Sequence, residues 1–199
     1  PETEQILEIG FAFFDVTEQG LVIGEKWSQV FKPTIDVHPK ILGLTGISQD
    51  EIEAAPDVSE YRDFLNEKLD KTILVAHNPV LDIKFLEQAG VSLSGKVIDT
   101  LELVQFLLPT HHSYNLENLM HYFDLKHRDS HRALGDSIST ILLLEKMMQI
   151  HAGLPVELKE KLSVIYKRAN FEWSKLLLIP FPASTAEGTD SLAKLEFAE

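Results

Sequence analysis

The sequence of 199 residues contains no cysteine. Disulfide bonds, thiolate metal ligands and a cysteine nucleophile are therefore excluded, which leaves carboxylates, imidazoles and hydroxyls as the chemically capable groups. The sequence also has no apolar run long enough to span a bilayer, and no signal-peptide pattern at its start. We therefore expect a cytoplasmic protein with no membrane partner.

Positive charge is scarce in this chain. Eighteen Lys and Arg residues stand against 31 Asp and Glu residues, which gives a formal net charge of −13. Proteins that coat nucleic acids neutralise phosphates with Lys and Arg, so this composition excludes a protein that binds by bulk electrostatics. An acidic enzyme could still hold the end of a strand through metal ions.

The length and the hydrophobic content of 44% predict one α/β domain with an appendage. Two β-rich segments separated by a turn at residues 17–20 predict an antiparallel hairpin, and the alternation that follows predicts parallel strands with helical crossovers. We place a domain at residues 1–152 and a helical extension with a linker-like tail at 153–199. The predicted strands are 6–14, 21–31, 72–76 and 97–98. Two short helices are predicted to begin at the capping boxes Ser48-x-x-Glu51 and Asp57-x-x-Glu60. The other predicted helices are 79–89, 100–108, 115–122, 133–150 and 155–169.

The first segment with residues that could take part in chemistry leads into the helix predicted at 79–89. Asn78 is predicted to cap this helix and Pro79 to occupy its first position. Asp82 then lies in the first turn, on the same stripe as Phe85 and Leu86, which should pack on the sheet. The alternative is that Asp82 only complements the helix dipole.

A second inward carboxylate, Asp136, lies on the apolar stripe of the helix at 133–150. Two buried acids from separate helices repel each other, so a stable site would require a cation, and oxygen ligands favour Mg²⁺ or Mn²⁺. His131, five residues before Asp136, could accept a proton from a water molecule. The alternative for His131 is a surface or capping histidine.

These segments resemble the DEDDh (DnaQ-like) 3′→5′ exonuclease superfamily, which includes the proofreading subunit of bacterial replicative polymerase, ribonuclease T and the exonuclease domain of DinG-type helicases. One such pattern would be weak, but five in the family's order over about residues 1–150 make coincidence improbable. Asp99, within the fourth pattern, is predicted to cap a helix and not to bind metal. The five patterns are Ile6-Leu7-Glu8-Ile9-Gly10, Leu44-Thr45-Gly46-Ile47, His77-Asn78 through Asp82, Ile98-Asp99-Thr100 and His131 through Asp136.

The resemblance implies a ribonuclease H-like mixed five-stranded sheet flanked by helices. It implies hydrolysis with two Mg²⁺ or Mn²⁺ ions that releases nucleoside monophosphates from single-stranded or frayed 3′ ends, with DNA as the expected polymer and a fused helicase or polymerase as a partner. In this reading Asp82 and Asp136 are metal ligands and His131 is the general base. The residues expected around the terminal nucleotide are His77, Asn78, Leu44 and Thr45.

The chain departs from the family at its start. The family has a central strand ending in Asp-x-Glu before a segment like residues 1–4, and no such strand precedes Pro1 here. We therefore expect a truncated domain that lacks its central strand and is inactive as given. Two alternatives remain: a non-catalytic docking or regulatory module with the exonuclease fold, and a hydrolase of small phosphoesters.

The extension at 154–199 resembles the region that joins this domain to a helicase. Its alternative is a helix that packs on the domain, followed by a flexible tail. The apolar run at 176–181 could in principle replace the missing strand, but Pro180 lacks a donor that a central position needs, so we predict that it does not.

Overall fold

The computed structural model describes residues 5–126, 131–169 and 171–183. Residues 184–199, which belong to the predicted linker-like tail, lie outside these ranges. Strands and helices alternate after an initial hairpin, as predicted. The elements are β1 Glu8–Thr17, β2 Gly20–Val30, α1 Pro39–Thr45, α2 Gln49–Ala54, α3 Arg62–Leu69, β3 Leu74–Ala76, α4 Val80–Gln88, β4 Val97–Asp99, α5 Thr100–Leu107, α6 Leu116–Tyr122, α7 Ala133–Ala152 and α8 Val156–Ala169, with 3₁₀ turns at Val58–Tyr61 and Glu172–Leu178.

The predicted hairpin is confirmed. β1 and β2 are antiparallel, with Glu8 opposite Val30 at one end and Thr17 opposite Gly20 at the turn. The Thr17 hydroxyl donates to the Gly20 carbonyl over 2.8 Å, which closes the turn. Gly20 has a φ of 138°, a conformation that favours glycine.

The second pair of strands is parallel, as the alternation predicts. β3 and β4 pair from Leu74 opposite Val97 to Ala76 opposite Asp99, and α4 forms the crossover between them. Among the described residues, this pair and the hairpin form two separate two-stranded sheets. The helix α7 packs on both sheets. The predicted mixed α/β class is therefore confirmed, with few strands among the described residues.

The main core forms between α5 and α7. Leu103 and Val104 of α5 and Leu143 and Met147 of α7 are fully buried. Trp173, beyond α8, is fully buried in the same core. Residues from the predicted extension therefore share the core of the domain, while the division at residue 152 stays a prediction. None of the helices in the described ranges has the length and apolar character needed to cross a bilayer.

Capping residues determine where the helices after the hairpin begin. Ser48 forms the predicted capping box with Glu51 at the start of α2, and Asp57 forms another with Glu60. The helix α1 was not predicted. His38 begins it by accepting a hydrogen bond from the Lys40 backbone at 3.2 Å.

The segment Leu44-Thr45-Gly46-Ile47, expected to be a loop, is therefore partly helical. Leu44 and Thr45 form the end of α1, and Gly46 terminates the helix with a left-handed φ of 68°. Glycine is the residue that adopts this conformation most easily, so the helix stops here.

At the end of α7, His151 is buried, and its Nε2 atom has no hydrogen-bond partner within the described part of the chain. Burial, with a smaller contribution from the charge of Lys159, lowers the pKa of His151 to about 4. The folded protein therefore holds this imidazole in its neutral form over a wide pH range.

We expect the stability of the chain to fall as pH drops from about 6.5 towards about 4, because the unfolded chain takes up a proton on His151 that the folded chain does not. The pKa of His151 is lower in the folded chain than in the unfolded chain. Its contribution to stability is therefore complete above the unfolded pKa and is lost as pH falls towards the folded pKa. His151→Gln should remove about 3 kcal/mol or less of this pH dependence. Urea unfolding at pH 7, 5.5 and 4 measures the free energy of unfolding at each pH. If this free energy fell as steeply with pH in His151→Gln as in the unchanged chain, the assignment would be contradicted. The matched control is His112→Gln, since His112 is exposed.

Candidate active site

A cleft of about 1360 Å³ separates the hairpin from β3. Its walls come from β1, β3, α4 and the start of α7. Five of the predicted site residues line this one cleft although they come from three separate segments of the sequence: Thr45, His77, Asp82, His131 and Asp136. The structure therefore brings together the proposed base and both proposed metal ligands.

Asp82 lies in the first turn of α4, as predicted, but it is exposed at the cleft and not buried, contrary to the prediction of a buried acid. Partial removal from solvent raises the pKa of Asp82, and repulsion by Asp136 raises it further, against a backbone hydrogen bond that lowers it. Phe85 and Leu86 line the same cleft from the same helix. An acid in these surroundings favours either a proton or a cation beside it.

Asp136 lies in the first turn of α7, where it is half-buried and lines the cleft opposite α4. The exposed residue His131 precedes this helix with a left-handed φ of 66°. The His131 backbone N–H points at the Asp136 carboxylate over 3.4 Å, a long contact. This backbone bend leaves the imidazole of His131 at the cleft, close in sequence to the carboxylate.

His77, at the end of β3, has both ring nitrogens within hydrogen-bond distance of protein groups. Its Nε2 lies 2.7 Å from the carbonyl of Tyr114, which can only accept, so we assign the ring proton to Nε2. Its Nδ1 lies 2.9 Å from the Thr100 hydroxyl. Burial lowers the pKa of His77. The hydrogen bond to Tyr114 and the charge of Asp99 oppose this change. His77 therefore forms part of the cleft wall as a neutral, fixed ring.

Asn78 does not cap α4, contrary to the prediction. Pro79 is the residue at the helix cap, and no side chain caps this end. Asn78 instead has a left-handed φ of 60°, which Asn tolerates better than most residues, and its N–H donates to Asp99 over 2.9 Å. Asp99 also accepts from the N–H of Leu101 at the start of α5, so its predicted role as a helix cap is confirmed.

The remaining predicted contacts to substrate divide between the cleft and its surroundings. Thr45 lines the cleft, and its hydroxyl donates to the Ile41 carbonyl over 2.9 Å. Leu44 is 58% exposed and, like Asn78, is not among the residues that form the cleft wall. The substrate roles of His77, Asn78, Leu44 and Thr45 stay predictions.

A further residue of the site, Glu8, was missed in the sequence. Its carboxylate accepts from the Arg132 guanidinium over 3.1 Å and from the N–H of Ala133 over 3.0 Å. Arg132 does not cap α7 with its own side chain, so Glu8 supplies the cap from 125 positions away. The acid thereby fixes the start of the helix that carries Asp136.

Gly10 brings β1 and α7 close enough for this contact. A Cβ atom added at Gly10 would lie 2.3 Å from the backbone nitrogen of Leu134, so the approach requires glycine. The Ser137 hydroxyl also donates to the Gly10 carbonyl over 2.8 Å. The first turn of α7 is thus fastened directly to β1.

We expect Glu8→Ala to lower the free energy of unfolding by about 1–3 kcal/mol, because it leaves a helix-terminal donor and a partly buried guanidinium without their carboxylate. Glu25→Ala is the matched control, since Glu25 pairs with Lys68 at the surface and its side chain is 52% exposed. Such pairs contribute roughly 0–1 kcal/mol. Urea denaturation of both variants measures the difference, and equal losses would contradict a special role for Glu8.

The pair of carboxylates fits a hard divalent cation. Asp82 and Asp136 face the same cleft and repel each other, and oxygen ligands are those that Mg²⁺ and Mn²⁺ prefer. The described residues contain no group of three or more His, Cys, Asp or Glu side chains that could hold a metal by themselves. This agrees with Mg²⁺ sites in which one or two carboxylates act together with water and substrate phosphates.

Comparison with known families and proteins gives one consistent result. Residues 1–144 match the model of the RNase_T family, described as exonuclease. The 3′-5′ exonuclease DinG of Staphylococcus haemolyticus is 28% identical over 179 residues, which are 87% of this chain and 19% of that protein. The PolC-type DNA polymerase III of Bacillus subtilis is 33% identical over 188 residues, which are 90% of this chain and 13% of that protein. The chain thus spans less than a fifth of either relative.

Solved structures show the same fold. Exonuclease X in complex with 5′ overhanging duplex DNA aligns with a TM-score of 0.53 and 22% identity over 77% of this chain and 92% of its own. The nuclease domain of 3′hExo, a DEDDh family member bound to rAMP, aligns with a TM-score of 0.54 and 16% identity over 72% of this chain and 92% of its own. The ribonuclease H-like architecture expected from the sequence is therefore confirmed.

Proposed function

Because this chain belongs to the exonuclease family whose model it matches over residues 1–144, we propose that it forms the catalytic part of a metal-dependent 3′→5′ exonuclease. The substrate would be a single-stranded or frayed 3′ end, with DNA as the expected polymer, and the products nucleoside monophosphates. The observation that supports this best is the convergence of Asp82, His131 and Asp136 on one cleft.

The chemistry divides among the residues of the cleft. Asp82 and Asp136 would hold two Mg²⁺ or Mn²⁺ ions, which when bound neutralise charge on the phosphate and on the leaving 3′ oxygen. His131, exposed and five positions before Asp136, would take the proton from the attacking water. His77 cannot do so while Nε2 donates to Tyr114 and Nδ1 faces Thr100, so we assign it to positioning the terminal nucleotide.

The acidity of the chain fits an enzyme that grips one strand end better than one that coats a duplex. With a net charge of −13, contact with a polyanion depends on the cations at the site and not on a basic surface. Both relatives are much longer than the region they share with this chain. We therefore propose that a helicase or polymerase region of the same polypeptide delivers the 3′ end.

Two of the proposed metal ligands, Asp82 and Asp136, are among the described residues, whereas the family uses four. We propose that hydrolysis needs the Asp-x-Glu strand in addition, so that the 199-residue chain alone is inactive. A non-catalytic module would stay inactive after this strand is attached. An exonuclease would become active, which distinguishes the two functions.

With the Asp-x-Glu strand fused before Pro1, we expect Mg²⁺ or Mn²⁺ to support stepwise shortening of a 5′-labelled single-stranded oligonucleotide, and EDTA to abolish it. A denaturing gel resolves the ladder of products. An oligonucleotide with a 3′-terminal phosphorothioate linkage is the substrate control, and a nitrophenyl phosphoester tests the small-molecule alternative. Undiminished shortening in EDTA would contradict metal dependence.

A further inference from the structure

We propose that a second, smaller pocket, at the opposite end of α7 from Asp136, binds a small organic anion that carries one carboxylate on a short apolar chain. This pocket has a volume of about 210 Å³ and lies between the end of α7, the start of α8 and the segment 176–181. Of the described residues that line it, Leu176 alone also lines the cleft. The pocket therefore stands apart from the candidate active site, and its test measures binding and not hydrolysis.

His151 brings a buried polar atom to this pocket. The residue lines the pocket and is 6% exposed, and its Nε2 atom has no hydrogen-bond partner among the described residues. Tyr166 packs against the imidazole with the ring centroids 5.8 Å apart, but the Tyr166 hydroxyl likewise has no partner within the described ranges. A neutral imidazole can carry its proton on Nε2 and donate from there. Because buried polar atoms without partners destabilise a fold, a ligand that accepts from this ring would stabilise the chain.

Lys159 supplies the charge of the pocket. It is the only Lys, Arg, Asp or Glu among the described residues that line it. Its ammonium donates to the carbonyl of Ala152 over 3.0 Å, which uses one of its three N–H donors. No carboxylate in the described part of the chain forms an ion pair with it. In a chain with a net charge of −13, a pocket whose charge is positive favours an anion over a cation.

The rest of the pocket wall determines the size and polarity of the ligand. Met148 of α7 and Leu177 and Phe181 of the segment 176–181 are among the apolar residues that line it. The volume of about 210 Å³ lies below the roughly 300–1,000 Å³ of most drug-sized sites. It lies well above the roughly 10–15 Å³ that one water molecule needs. A water molecule could satisfy His151, but it would bury no apolar surface, whereas a short-chain carboxylate does both.

The test titrates butyrate into the full 199-residue chain labelled with ¹⁵N and follows the ring nitrogens of its eight histidines by NMR. We expect a saturable shift of the His151 signals, with a dissociation constant of about 1 mM or below. The spectrum of His151→Gln, which lacks these signals, identifies them.

Two further ligands separate the contributions of the charge and of the apolar chain. Butanol has an apolar chain of the same length but no charge, and it should bind at least about tenfold more weakly than butyrate, because it loses the charged hydrogen bonds. Acetate keeps the carboxylate and lacks two CH₂ groups. It should bind about 15-fold more weakly, since each buried CH₂ group contributes roughly fourfold.

A pair of variants locates the site. Lys159→Met removes the ammonium and keeps an unbranched side chain, and it should weaken butyrate binding by at least about tenfold. Methionine is a good helix former, so α8 should keep its structure. The matched control is Lys161→Met, because Lys161 is exposed on the same helix and is not among the residues that line the pocket. Its affinity for butyrate should equal that of the unchanged chain.

The absence of a saturable shift at His151 would overturn the proposal whatever the variants do. Unchanged affinity in Lys159→Met, or equal affinity for butanol and butyrate, would refute the role of the ammonium. Inorganic phosphate is a last control. If it bound as tightly as butyrate, the apolar wall would select nothing, and the proposed class of ligand would be wrong.

Discussion

Asp136→Asn should reduce the turnover of the exonuclease, with the Asp-x-Glu strand supplied, by at least about 10²–10³-fold. The substitution keeps the size of the side chain and removes the negative charge that holds a cation at the phosphate, and interactions of this kind contribute about that much to catalysis. Asp136 is half-buried in the first turn of α7, and asparagine has nearly the same size and shape as aspartate, so the change should leave the fold intact. Single-turnover rates on a labelled oligonucleotide measure the loss.

The matched control is Asp63→Asn. Asp63 is exposed in the first turn of α3, so it shares with Asp136 its place near a helix N-terminus but not its position on the cleft. Its turnover should equal that of the unchanged enzyme. Asp82→Asn should match Asp136→Asn, and the double variant should lose little more than either, because residues that act as a unit are not additive. Near-normal turnover of Asp136→Asn would refute the assignment of the site.

His131→Ala should lower turnover by about 10²–10⁴-fold with less effect on substrate binding, which is the usual contribution of a general base. Added imidazole should restore part of the activity of His131→Ala, a result that a purely structural role does not predict.

Exposed His112 provides the control for this series, because His112→Ala removes an imidazole from the surface without touching the cleft. Its turnover should match that of the unchanged enzyme. If His131→Ala retained normal turnover at neutral pH, His131 would be a surface residue that only ends the bend before α7.

Local patterns in the sequence predicted most of the elements. The hairpin, the parallel pair and the helices from α2 to α8 were predicted to within a few residues, because each has a turn, a cap or an apolar period that acts within a few positions. The helix α1 was missed, since a histidine caps it and Gly43, a poor helix former, lies within it. Asn78 was assigned to a cap from its type alone, whereas its backbone adopts a left-handed turn beside Asp99.

The candidate site was predictable only in part. Asp82 and Asp136 were identified because they lie on the apolar stripes of predicted helices, and His131 because it precedes Asp136 in a pattern that resembles a family. Glu8 was not, because its partners Arg132 and Ala133 are more than 120 positions away and no local pattern reveals such a contact. Long-range pairs of this kind depend on the approach of Gly10 to α7, which is a property of the folded chain.

The two carboxylates of the site differ in how firmly the fold anchors them. The helix α7, which carries Asp136, has ten buried residues, whereas α4, which carries Asp82, has one, Leu86. Helices with few buried contacts open at a lower free energy than the global fold. The side of the site with Asp82 is thus the less rigid one. We expect the ordering of α4 to reduce the net free energy of cation binding. Affinity for the cation should consequently change with the packing around Leu86, although Leu86 carries no charge and is no ligand.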